Sequence, residues 1–195
     1  MATAPSRSTA AKKRTIARPA PKPAFTRGEK VHIARHSLFE VPLRYQRIKG
    51  VDAYLHAVAS ATPIELVAIE RQGVLGIFIK DVSTRMDIPV SRMFAILGVP
   101  KATAEKKAAA GELVGGSGGQ AAVGLMRLLG MARAIVNNST APGARNFDSA
   151  KWLGRWLEVP QPALGGHKPA DLISTPTGVE VVARLLGSLE SGSYQ

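Results

Sequence analysis

The chain has no cysteine, aromatic residues at only 5%, and no long uninterrupted apolar run. Without cysteine there is no disulfide framework, no thiolate nucleophile and no thiolate metal site, and the composition fits the reducing cytoplasm. So few aromatics mean that a core must be assembled chiefly from aliphatic side chains. No stretch of about 18 consecutive apolar residues argues for a membrane span. The basic N-terminus is not followed by the apolar segment of a secretory signal. Paired carboxylates in matching context and a phosphate loop ending in Gly-Lys-Ser/Thr are missing too. Nothing assembles a reaction, so the expectation is a non-enzyme with no catalytic residues, no cofactor and no metal.

What is present is charge, unevenly placed. The net charge is +12, and residues 1–49 hold twelve of the 26 Lys/Arg against only Glu29 and Glu40. The rest of the chain is close to balance, with 14 basic and 12 acidic side chains. Basicity therefore belongs to the leader and not to the fold. Residues 1–27 are rich in Ala, Pro, Lys, Arg, Ser and Thr, with Pro19, Pro21 and Pro23 alternating. Such a stretch buries too little apolar surface to offset its ordering entropy, and residues 1–50 read as a largely disordered basic leader. A cationic arm of this kind either contacts phosphates non-specifically or serves only to solubilise. His32, His36 and Glu40 fall at i, i+4 and i+8, a spacing that gathers a metal on a helix. The plainer reading is a polar face, or no helix across Pro42.

From Val51 onward the apolar positions follow a helical period. Val51, Tyr54, Leu55 and Val58 form one stripe. Thr62-Pro63 offers an N-cap with proline at the first helical position of a helix ending near Gly73. Residues 75–86 continue at helical spacing, although Ile77-Phe78-Ile79 also suits a strand. Residues 89–113 read as two short helices joined by Leu97-Gly98-Val99-Pro100. Residues 115–119, Gly-Gly-Ser-Gly-Gly, break the chain as a connector, and a long helix follows over roughly 120–137. A tryptophan helix (147–158), a Pro/Gly-rich turn (159–169), a short helix and a final helix (176–190) complete an all-α reading.

Three places invite functional interpretation. Residues 89–113 have the layout of a helix-turn-helix, in which Lys101, Thr103, Lys106 and Lys107 would face DNA. Phe94 and Ala104 depart from the usual sizes at their positions, so a retained shape that binds DNA poorly is the competing reading. Ser117 satisfies G-x-S-x-G, and Gly116 to Ala121 satisfy G-x-G-x-x-A; both patterns need a strand directly before the loop. A helix former, Glu105 to Gly111, stands there instead, and His167 is the one downstream histidine. Trp152 and Trp156 lie one helical turn apart, a stripe that is either core or an interface anchor.

The segment 147–195 resembles the toxin-binding domain of the Xre/MbcA/ParS antitoxin family. The resemblance is carried by Ala150-Lys151-Trp152-Leu153, Trp156-Leu157 and the run Pro160-Gln161-Pro162-Ala163-Leu164-Gly165-Gly166. It continues through Lys168-Pro169-Ala170-Asp171-Leu172-Ile173, Thr175-Pro176-Thr177-Gly178, Val182 and a run from Leu185 to Tyr194. Upstream, Ile64-Glu65-Leu66-Val67, Leu97-Gly98-Val99 and Thr103 resemble the family's helix-turn-helix half, although Glu105-Lys106-Lys107 replaces an arginine-rich segment. Residues 1–50 carry no resemblance.

The resemblance implies an Xre-like helix-turn-helix domain (51–137) and a small helical toxin-binding domain (147–195). It implies a cytoplasmic antitoxin of a type II pair that neutralises a RES-type, NAD-consuming toxin by covering its active site with the C-terminal segment. Homodimers, higher toxin–antitoxin complexes and repression of the protein's own operon are further implications. By motif position and chemistry, the toxin-side candidates are Trp152, Trp156, Lys168, Glu190, Gly192, Tyr194 and Gln195. The rival reading is a transcriptional regulator whose C-terminal domain only dimerises. In the turn at 160–169, prolines and glycines either fix how two helices meet or present Lys168 to an acidic partner.

Overall fold

Beyond Met1, the computed structural model describes residues 43–140 and 142–190, the side chains of Arg145 and Glu190 excepted. The leader to residue 42, with the candidate metal set His32, His36 and Glu40, lies outside the described residues.

Eight α-helices carry the described chain: α1 (Gly50–Ala59), α2 (Pro63–Gln72), α3 (Gly76–Arg85), α4 (Val90–Ile96), α5 (Lys101–Ala110), α6 (Gly116–Asn138), α7 (Ser149–Leu157) and α8 (Pro176–Glu190). The fold is all-α, as the periodicity implies. α1 buries Tyr54, Leu55 and Val58. Tyr54 meets Tyr45 and Phe78 with ring centroids 5.1–5.5 Å apart, and burial pushes its hydroxyl up to about 12. At the start of α2 the Thr62 hydroxyl accepts from the Glu65 N–H while the Glu65 carboxylate accepts from the Thr62 N–H at 2.7 Å. This reciprocal cap satisfies two amides that a helix start otherwise leaves unpaired. Ile77-Phe78-Ile79 is helical within α3, because Phe78 and Ile79 then enter the core together with Val82.

The helices between residues 89 and 113 fall where the sequence puts them, with Gly98 at φ +64° and Val99 buried. The glycine run does not. It is no passive connector: α6 begins at Gly116, and Gly118 and Gly119 are buried in its first turn. A Cβ at Gly119 would stand 2.7 Å from the Val114 carbonyl oxygen, and one at Gly118 would meet the Val99 side chain. Close approach, rather than chain breaking, is the reason for glycine there. That approach is made against a two-residue antiparallel pair, β1 (Val74–Leu75) and β2 (Leu113–Val114), registered Val74 to Val114 and Leu75 to Leu113.

α6 is the axis of the core. It packs against α1, α2, α7 and α8. It is long and apolar enough to cross a membrane by length and composition, yet 56% of that stretch is buried inside the protein, as suits a core helix. α8 runs alongside it in the same direction, with Val179 against Gly124 and Gly187 facing Met131. A Cβ at Gly124 would stand 2.6 Å from Val179, so the two helices meet at van der Waals closeness.

Candidate functional site

α7 is built to present one face and bury the other. Asp148 caps it, its carboxylate accepting from the Lys151 N–H at 3.1 Å. Ala150, Leu153, Gly154 and Leu157 are buried. Gly154 rests directly on the Met86 carbonyl in the turn between α3 and α4, where no side chain fits. Trp152 and Trp156, displaced one position from that buried stripe, are half-buried and stacked, with centroids 6.0 Å apart and an interplanar angle of 20°. Phe147, 45% exposed, extends the aromatic row with its centroid 6.1 Å from Trp152.

Beside this row lies an open apolar groove of about 420 Å³, lined by Ile135 and Val136 of α6 together with Ala144, Phe147 and Trp152. It adjoins a larger, more polar cleft of about 660 Å³ that also reaches Val136, Ala144 and Phe147 and is bounded by His56, Arg85 and Arg133.

Ion pairs hold α7 at both ends. At its start, Arg85 donates to Asp148 at 2.7 Å and to Asp52 of α1 at 3.1 Å. Partial burial opposes ionisation of Asp148, but the Arg85 and Lys151 hydrogen bonds outweigh it and hold the carboxyl below its usual range. At its end, Arg92 of α4 grips Glu158 with two hydrogen bonds, Nε to Oε1 at 2.6 Å and Nη2 to Oε2 at 3.2 Å. The same Nη2 reaches Asp171 at 3.3 Å. Lys168 Nζ donates to Glu158 Oε2 at 3.3 Å. Arg92 foremost, with Lys168 assisting, holds the Glu158 carboxyl below its usual range.

The turn that carries Lys168 is rigid by construction. Single 3₁₀ turns at Pro162–Leu164 and Pro169–Asp171 flank Gly165 and Gly166, at φ +64° and +84°. The buried Gln161 N–H donates to the His167 carbonyl and its side chain to the Val159 carbonyl.

The candidate residues distribute as follows. Trp152 and Trp156 sit half-buried beside the buried stripe of α7, packed against the core, and Lys168 belongs to the ion cluster at its end. Glu190 is the last residue of α8, and Gly192, Tyr194 and Gln195 lie outside the described residues. On α5, Lys101, Thr103 and Lys106 are exposed, whereas Lys107 is half-buried with its ammonium donating to the Leu113 carbonyl at 2.7 Å. Lys101 stands 3.9 Å from Glu105, which offsets its charge.

A strand, though only two residues long, does precede the glycine run, contrary to the expectation of helix alone, but Ser117 itself lies in the first turn of α6. Ser117 is exposed and has no hydrogen-bonded base among the described residues. No group of three His, Asp or Glu among the described residues is placed to hold a metal ion.

Sequence reasoning missed Arg92, Glu158, Arg85 and Phe147. Arg92 and Glu158 are 66 positions apart and no local spacing couples them. Phe147, directly before the capping Asp148, carried a usable signal, an aromatic at the entry of a tryptophan helix.

The family model of the antitoxin Xre/MbcA/ParS C-terminal toxin-binding domain matches residues 143–192, the stretch that holds the aromatic row, the rigid turn and α8. A relative from Sphingobium sp. (strain YBL2), "Prs ADP-ribosylating antitoxin", is 31% identical over 159 residues, 81% of this chain and 99% of its own length. A match over nearly the whole relative, with the domain match falling on the segment that carries the aromatic row, places this chain in the Xre/MbcA/ParS family of antitoxins.

Proposed function

We propose that this chain is the antitoxin of a type II pair and neutralises a RES-type, NAD-consuming toxin by stoichiometric occlusion, without turnover or cofactor, in the cytoplasm. The observation that carries this reading is the coincidence of the matched toxin-binding segment with a half-exposed aromatic row beside an open apolar groove. Stacked, partly exposed aromatics on a rigid helix are what interface anchors require, since large apolar area is presented at little entropic cost. Trp152, Trp156 and the groove would seat an apolar side chain of the toxin. Glu190, Gly192, Tyr194 and Gln195 would continue from α8 over the toxin's nucleotide cleft, with Tyr194 stacking where a base sits. The name of the Sphingobium relative couples it to ADP-ribosylation of Prs. Carried to this chain, that name favours a toxin that transfers ADP-ribose from NAD to a protein over one that only degrades NAD.

A second role, repression of its own operon as a dimer or higher complex, is favoured by the exposure of Lys101, Thr103 and Lys106 on α5 behind the tight turn at Gly98. Lys107, bonded to the Leu113 carbonyl, is removed from that set. The division into a helix-turn-helix domain (51–137) and a toxin-binding domain (147–195) belongs to the same proposal.

Co-expression with the product of the adjacent gene tests the main reading. Co-purification with rescue of growth is the expected result. A toxic neighbour that is neither bound nor inhibited would leave a transcriptional regulator as the better account. Removing residues 191–195 is expected to abolish inhibition while leaving the helical circular dichroism spectrum unchanged.

A further inference from the structure

In the ion cluster at the end of α7 two cations, Arg92 and Lys168, converge on one acid, Glu158, while Asp171 takes a further contact from Arg92 alone. Glu158 is already engaged through both carboxylate oxygens by the Arg92 guanidinium. Lys168 adds a single contact at 3.3 Å to Oε2, the oxygen that also receives the longer Arg92 bond. The planar fork of arginine matches a carboxylate in a way that an ammonium on a flexible stem does not. Arg92 reaches Glu158 from α4, upstream of the matched segment, whereas Lys168 sits in the rigid turn within it. Lys168 has 41% of its side chain exposed, and exposed pairs of this kind contribute little to stability. Withdrawing Lys168 therefore leaves Glu158 compensated, while Arg92 has no such freedom.

We propose that Lys168 is a transferable cation: it is parked on Glu158 in the free protein and passes to an acidic group of the toxin on docking, and Arg92 is the positioning residue that permits the exchange. This rests on the reading that residues 143–192 bind the toxin, and it adds the chemistry of the contact, a toxin carboxylate facing the 160–169 turn. Excluding water strengthens the new pair but costs hydration of both charges, so the exchange is driven only where the toxin carboxylate meets Lys168 with better geometry than the single 3.3 Å contact it leaves. Arg92 contributes without touching the toxin.

The proposal makes a sign prediction that a simple bracing role does not. Affinities of full-length variants for the purified product of the adjacent gene are compared by titration calorimetry, with each variant's thermal melt recorded alongside. Lys168→Ala is expected to weaken binding about tenfold, the scale of one charge-assisted hydrogen bond at an interface, and to flatten the salt dependence. Arg92→Ala is expected to weaken it several-fold, because Lys168 becomes the sole cation left on Glu158. Adding Glu158→Gln to Arg92→Ala then restores affinity towards wild type, since nothing retains Lys168.

If Arg92 merely braced the turn, the double variant would bind no better than Arg92→Ala, and that outcome overturns the proposal. Lys168→Ala binding within twofold of wild type overturns it as well. If the wild-type chain does not bind the toxin, the underlying reading falls and takes this one with it. A binding wild type without the restoration pattern removes this inference alone.

Discussion

The two ends of α7 are held by the same device put to different use. At the start, one arginine serves two carboxylates: Arg85 bridges Asp52 and Asp148, and no cation is spare. At the finish, Arg92 and Lys168 share Glu158, with Asp171 alongside Arg92, so one contact can be withdrawn without stranding the acid. Each arginine comes from a helix upstream of the matched segment and reaches into it. The first end ties α7 to α1 and α3, whereas the second, where two cations meet on Glu158, adjoins the 160–169 turn; Asp148, Glu158 and that turn all lie in the matched residues 143–192.

The sharpest way to break both ends together is to lift α7 off the turn it rests on. Gly154→Val puts a Cβ into the Met86 carbonyl, a backbone atom that cannot swing aside. A loss of about 3 kcal/mol in urea unfolding is expected, with toxin binding lost in parallel.

Next in size, Asp148→Ala removes both the Arg85 partner and the α7 cap. Its expected cost is about 1–2 kcal/mol of stability, with a smaller proportionate effect on toxin affinity. Glu158→Ala should invert that ratio, costing about 1 kcal/mol or less in stability and registering chiefly in the salt dependence of binding. Equal ratios for the two variants would erase the distinction between the ends.

Acid should weaken the two ends together. Asp148 and Glu158 are both held below the usual carboxylate range in the folded chain. The unfolded chain therefore binds more protons as pH falls, and stability rises with pH through this window. Their contribution is complete above the ordinary carboxylate range and is lost as pH drops through it towards the lowered folded values. Urea melts between pH 6 and 3 check this, and Asp148→Asn with Glu158→Gln should flatten the profile. Smallest of all, Lys101→Ala on the exposed side of α5 should change stability by less than about 0.5 kcal/mol.

The periodic parts of this architecture were legible in the sequence. The stripe from Val51 to Val58, the Thr62-Pro63 helix start and the tryptophan helix each announce themselves within a few residues, because helix faces and caps are local properties. The family resemblance pointed to the aromatic row and to Lys168 as well. What was hidden depends on partners far along the chain. Gly118 and Gly119 read as a connector because the need for glycine comes from Val99 and Val114, which only folding brings near. The β1–β2 pair is two residues long, too short for any alternation to show. Arg92 carries no local signal, because its partner Glu158 lies 66 positions away, and that pairing is what makes Glu158 a carboxylate shared with Lys168.

The placement of α6 bears on how such a molecule would be cleared. Helices from both halves pack on it, and the buried residues from Tyr45 to Leu186 form one continuous cluster. Opening either half strips apolar cover from the same helix, so a half left behind would keep an exposed flank of α6 and little reason to stay folded. Proteolytic turnover is then all or none: a protease that gains a foothold at one end removes the inhibitor entirely instead of trimming it to a partly active remnant. Limited digestion should accordingly show intact chain and small peptides, with no persistent fragment ending near residue 140.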